Sequence, residues 1–161
     1  MPSDPALPPA HPALASEAPC PCGRPGADRR PLPYGRCCGP WHAGAPAPDA
    51  EALMRSRYSA YVLGLHDHLR ATWHPRTCPV DLGPDEPALR WLGLEVRRHV
   101  PQDADHAVVE FVARSKLGGR AHRLHETSRF ERDPATGRWL YVDGDLHGAA
   151  ANAPLPAPPS S

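Results

Sequence analysis

The spacing Cys20-Pro21-Cys22, then fourteen residues, then Cys37-Cys38 constrains this chain more than any other stretch. Four of its five cysteines fall in that window. The insert between them, residues 23–36, is rich in Pro, Gly and Arg and has almost nothing to bury. A loop of that kind is not held by hydrophobic contact, so a cross-link must close it. In a reducing compartment, clustered cysteines read as metal ligands rather than as disulfides. Four thiolates suit tetrahedral Zn²⁺, and metal binding would supply the folding free energy of the segment. Four protein ligands leave no coordination position for water, so the expected zinc is structural and not a reagent. A redox pair fits less well, because C-x-C is a tight spacing and no βαβ pattern surrounds it.

Lys+Arg and Asp+Glu are 18 each, so no global charge drives the chain toward nucleic acid or a membrane. The 23 prolines are unevenly placed along the chain. Residues 1–19 and 149–161 are Ala/Pro-rich without apolar periodicity and are expected to be disordered tails. Residues 1–19 also lack the basic start and apolar run of a signal peptide. No run of about 18 apolar residues occurs, so no membrane partner is expected, and the expected location is cytoplasmic.

Between the tails, residues 20–44 form the cysteine module, and Ala45-Pro46-Ala47-Pro48 reads as a short stiff linker. Asp49 caps a helix whose apolar positions Leu53, Met54, Tyr58, Tyr61, Val62 and Leu65 share one face, with Arg55 and Ser59 on the other. Gly64 is its stop, Asp67 the cap of a second short helix, and Pro75 the end of that helix. Residues 75–88 hold four prolines and read as a loop, with a helical turn near 86–89. The period then changes from 3.6 to 2. Residues 90–100, 106–116, 120–132 and 138–143 read as four strands joined by short turns, Gly118-Gly119 among them. Helices first and a meander after predict an α+β domain over residues 46–148, with helices covering one face of a curved antiparallel sheet.

The cysteine window, the run Leu53-Met54-Arg55-Ser56-Arg57-Tyr58-Ser59-Ala60-Tyr61, and the later segments Thr72-Trp73-His74-Pro75, Trp91-Leu92-Gly93-Leu94, Phe111-Val112-Ala113-Arg114, Glu126-Thr127-Ser128-Arg129-Phe130 and Trp139-Leu140-Tyr141-Val142-Asp143-Gly144 resemble the bacterial YchJ family. The resemblance implies an N-terminal SEC-C-type zinc motif followed by a cone-shaped, nuclear-transport-factor-2-like (NTF2-like) domain. It implies Cys20, Cys22, Cys37 and Cys38 as the metal ligands. Related motifs sometimes place His at the last position, and His42 follows Cys38 by four residues; Cys38 is favoured because it sits within the motif. The chain departs from the pattern in its longer insert, which carries Arg24, Arg29, Arg30 and Arg36. It also lacks a C-terminal repeat of the cysteine motif, since no cysteine follows Cys78.

Two kinds of function follow as expectations. The first is a non-enzymatic adaptor whose zinc module presents Arg24, Arg29, Arg30 and Arg36 to a protein or RNA partner, with a homodimer through the sheet compatible. The second is a small-molecule-binding or enzymatic cone of isomerase, dehydratase or hydrolase type. Its pocket candidates are Tyr58, Trp73, His74, Glu110, Glu126, Ser128, Tyr141 and Asp143. No paired-acid or His-Asp signature supports catalysis, so no catalytic residue is assigned. The ten histidines show no shared metal spacing.

Overall fold

The computed structural model describes residues 14–82 and 88–147. The outer part of the expected N-terminal tail, the whole expected C-terminal tail, and residues 86 and 87 of the helical turn expected near 86–89 lie outside the described residues, and Leu89 opens a strand instead. Helix α1 (Gly39–His42), helix α2 (Ala50–Leu63) and helix α3 (His66–Ala71) precede strands β1 (Leu89–Pro101), β2 (His106–Leu117), β3 (Arg120–Arg132) and β4 (Trp139–Leu146). The strands form one antiparallel sheet in sequence order, the expected α+β meander. Among the described residues, no helix is long and apolar enough to cross a membrane.

The local chemistry explains the element ends. Asp49 accepts a hydrogen bond from the Ala52 amide at 2.8 Å, a cap worth about 1 kcal/mol. Gly118 and Gly119 both take positive φ, at 58° and 80°, which a two-residue hairpin of the primed type requires. Asp67 does not cap α3. The N-cap is Leu65, and Asp67 lies in the first turn, where its charge meets the positive end of the helix.

Two details of packing differ from the periodic reading. Helix α2 is buried on all sides from Ala52 to Ala60, Arg55 and Ser59 included. The sheet covers one side and the cysteine module the other, so no face is left to solvent. In β1, register shifts at Trp91/Gly93 and Val96/Arg98 interrupt strict alternation. The first turns Leu92 out to 58% exposure and Trp91 inward, edge-on to Tyr58 at 5.5 Å.

The cysteine module is not a separate unit on a linker. Cys20, Cys22, Cys37 and Cys38 belong to the same core as Leu53, Met54, Tyr58, Trp73, Val109, Phe111, Phe130 and Tyr141. Nor is its start at residue 20. The Tyr34 amide donates to Ala18 O at 2.8 Å and the Gly35 amide to Ser16 O at 2.9 Å, so residues 16–18, expected as tail, are tied to the far side of the module.

Candidate metal centre

The insert between the cysteine pairs folds as a narrow hairpin. Pro19 pairs with Pro33 and Pro25 with Pro31, and the Leu32 amide donates to Arg24 O at 2.8 Å. The 3₁₀ turn Tyr34–Arg36 then delivers Cys37 and Cys38 opposite Cys20 and Cys22. The four Sγ atoms lie within 4.8 Å of one another, with Cys22 and Cys37 at 3.4 Å. All four thiols are free, and Cys22 and Cys38 are fully buried. An all-sulfur, water-excluded cluster of four fits a tetrahedral metal with soft-ligand preference. The thiols perturb one another strongly. Contacts from Cys22, then Cys37 and Cys38, pull the Cys20 thiol down; contacts to Cys20, Cys22 and Cys37, together with burial, push the Cys38 thiol up. Four thiolates so close need a cation if all are to ionise.

His42 is not part of this cluster. Its Nε2 contacts Ser56 O at 2.8 Å, and a carbonyl only accepts, so Nε2 carries the proton. Nδ1 therefore accepts from the Tyr34 hydroxyl, whose pKa burial pushes up to about 12. With both ring nitrogens engaged, His42 braces the module against α2.

Helix α2 supplies an outer shell that the sequence reading misplaced. Ser59 Oγ lies 3.3 Å from Cys38 Sγ and 3.6 Å from Cys20 Sγ. Arg55 donates to Cys22 O at 3.3 Å, reaches Cys22 Sγ at 4.0 Å, and pairs with Glu51 at 2.9 Å. A guanidinium beside a thiolate cluster offsets part of its negative charge. Residues 55 and 59 stand one helical turn apart, on the face turned to the cysteines.

Residue 57 points the other way, into the domain. Arg57 is 5% exposed and donates to Leu69 O at 2.9 Å and Thr72 Oγ1 at 2.8 Å. Its guanidinium lies over Trp73 at 4.7 Å and Tyr141 at 4.5 Å. Tyr141 donates in turn to Glu126 Oε2 at 3.1 Å, and Ser128 donates to the same oxygen at 2.6 Å. Burial, the largest influence, holds the Glu126 carboxyl above the usual range. Gly144 leaves room for this group: a Cβ there would stand 2.6 Å from Glu126 Cδ.

Of the pocket candidates, Trp73, Glu126, Ser128 and Tyr141 thus come together, joined by Arg57, and Tyr58 packs in the same core. Glu110, Asp143 and His74 do not join them. Phe111 pairs with Glu126, so Glu110, its neighbour, faces the opposite side and meets His125 at 2.7 Å. Asp143 pairs with Arg129 on that outer side, at 2.6 Å. The His74 imidazole turns to Glu131 at 3.7 Å.

Behind the module, Ser56 spends its one proton on Leu53 O at 2.7 Å and so accepts from His68 Nε2 at 2.9 Å. Burial, helped by His42 and Arg57, lowers the His68 pKa to about 3, so the ring is neutral near pH 7. Below pH 6.5 the unfolded chain takes up a proton that the folded chain refuses. Stability is thus complete above that pH and falls toward pH 3, by a few kcal/mol at most. Denaturant titrations of wild type and His68→Gln across pH 7 to 4 test this. The wild type is expected to lose more stability than the variant; parallel curves count against a buried neutral His68.

The fold and the cysteine cluster together define a class: an NTF2-like α+β domain headed by a SEC-C motif. The chain belongs to the YchJ family, whose middle NTF2-like domain model matches residues 49–144. A UPF0225 protein of Ralstonia nicotianae is 63% identical over 145 residues, covering 84% of this chain and 96% of the relative. A UPF0225 protein of Cupriavidus pinatubonensis is 59% identical over 145 residues, covering 87% of this chain and 96% of the relative. The crystal structure of a SEC-C motif protein from Psychrobacter arcticus superposes with a TM-score of 0.67 at 33% identity, over 83% of this chain and 85% of that one. A solution structure of a SEC-C motif protein from Rhodopseudomonas palustris gives 0.66 at 31% identity, over 81% of this chain and all of that one.

Proposed function

We propose that this protein is a cytoplasmic, zinc-scaffolded adaptor, with Cys20, Cys22, Cys37 and Cys38 holding a structural Zn²⁺ and the hairpin between them presented to an acidic partner. The supporting observation is the hairpin tip. Arg29 adopts a left-handed backbone, φ 68°, where glycine is the unstrained choice and a side chain costs on the order of 1 kcal/mol. Gly26 is only three residues away, yet the strained position carries an arginine. Arg29, Arg30 and Arg36 are exposed and Arg24 half-buried, so a buried zinc cluster would serve as the rigid base of a cationic tip. Zinc supplies folding energy in this reading and takes part in no reaction. A second copy pairing through the sheet is compatible with it.

Capture of partners from a bacterial lysate by the full chain, with and without nuclease, tests the reading. Charge reversal in Arg29→Glu/Arg30→Glu is expected to abolish capture while leaving the fold intact. Nuclease sensitivity distinguishes RNA from protein. An unchanged set of captured molecules overturns the role of the tip.

One observation favours a second reading, a small-molecule site inside the domain. Trp73 is 4% exposed and its indole N–H has no hydrogen-bond partner. It stands beside Arg57 and Tyr141 and offers a ready donor to a polar ligand.

A further inference from the structure

Three residues with no sequence relation meet on the outer face of the sheet. Glu110 comes from the middle of β2, His125 from β3, and His147 from the residue just after β4. One ligand atom from each lies within 4.8 Å of the others. His125 Nε2 is 2.7 Å from Glu110 Oε2. The imidazoles of His125 and His147 stack at 4.0 Å and 11°. Backbone pairing fixes this meeting, since the His147 amide donates to His125 O at 2.8 Å. Thr127, on the same face of β3, holds His147 Nε2 at 2.7 Å.

We propose that Glu110, His125 and His147 form a second metal site, for a divalent transition ion of the zinc–cobalt–nickel group. Two imidazoles and one carboxylate are the donor set such ions take in sites that retain open positions for water. The thiolate cluster is closed; this one is open, because Glu110 and His125 are half-buried and His147 is exposed. Thr127 performs the outer-shell task, fixing one ring nitrogen of His147 so that Nδ1 remains for the metal. Binding requires the stacked rings to tilt toward one another. His147 can do so at low cost, because its exposed side chain lies just past the end of β4.

Cobalt(II) separates the two centres in the full-length chain. Co²⁺ bound by thiolates shows an intense ligand-to-metal charge-transfer absorption, whereas a nitrogen–oxygen site shows only weak visible bands. The expected stoichiometry is two ions per chain, one with and one without the thiolate band. His147→Gln and Glu110→Gln are expected to remove the second ion and keep the first; the surviving thiolate band shows that the variants fold. Thr127→Val is expected to weaken the second ion by about tenfold or more. A single ion per chain that shows the thiolate band overturns the proposal, and so does a second ion that survives in both His125→Gln and His147→Gln. Loss of only the thiolate band in wild type would count against the cysteine centre and leave this site standing.

Discussion

With a metal held by the four cysteines as proposed, its removal is expected to unfold the whole chain in one transition, not the N-terminal module alone. A module on a Pro-Ala linker would melt by itself and leave the sheet domain standing. The packing points elsewhere. The four cysteines share a core with α2 and the sheet, and α2 bonds to them directly through Arg55 and Ser59. Helix α2 has no solvent face because the module is its second wall. Without metal, the mutually perturbed thiols are buried with no cation to neutralise them, and the hairpin has few apolar contacts to keep it closed. Structural zinc contributes roughly 10–16 kcal/mol in small zinc peptides, against about 5–15 kcal/mol for the total stability of a typical domain. Even a net loss of about 5 kcal/mol lowers Tm by roughly 10–20 °C in a chain of this size. Calorimetry before and after treatment with a strong chelator, and on Cys38→Ser, measures it. One broadened or missing transition is the expected result. A native-like sheet transition surviving chelation would show that the module is independent after all.

Much of the fold was legible because its signals are local. Asp49 and the turn glycines act through their own neighbours, so the start of α2 and the ends of β2 and β3 follow from a few residues each. The faces were harder. A periodic reading assigns a helix one buried side, so Arg55 and Ser59 went to solvent; only the module folded back over α2 reveals the second buried side. On the strands, period 2 shows that Glu126 and Ser128 share a face but not which face. Strand β2 carries buried apolar residues on both sides, Val109 and Phe111 within and Val112 on the outer side, so its sequence does not orient Glu110. The cysteine cluster was visible because its spacing is compact. The Glu110–His125–His147 group was not, since it exists only through the register of three strands and the irregularity at Arg129/Phe130.

Arg57→Met is expected to be the most damaging single change within the sheet domain. The arginine is enclosed between two aromatic rings, and its two hydrogen bonds satisfy Leu69 O and Thr72 Oγ1 at the end of α3. Methionine fills much of the volume and removes the donors and the charge. The Leu69 carbonyl loses a buried partner, the two cation–π contacts vanish, and Glu126 loses the nearby charge that favours its ionised form. Breaking one side of such a buried charge network costs about 3–5 kcal/mol. Glu126→Gln alone is expected to cost far less, because burial already pushes this carboxyl toward its neutral form. An amide also keeps an oxygen for Tyr141 and Ser128. The two residues make no ion pair within 4.0 Å among the described contacts, so their coupling runs through Tyr141, which touches both. If that is the coupling, the double variant Arg57→Met/Glu126→Gln regains part of the loss, since it buries neither charge without the other. Denaturant midpoints of the four proteins close the cycle. A double variant no more stable than the sum of the single effects would show that Arg57 acts only as a hydrogen-bonding brace for α3.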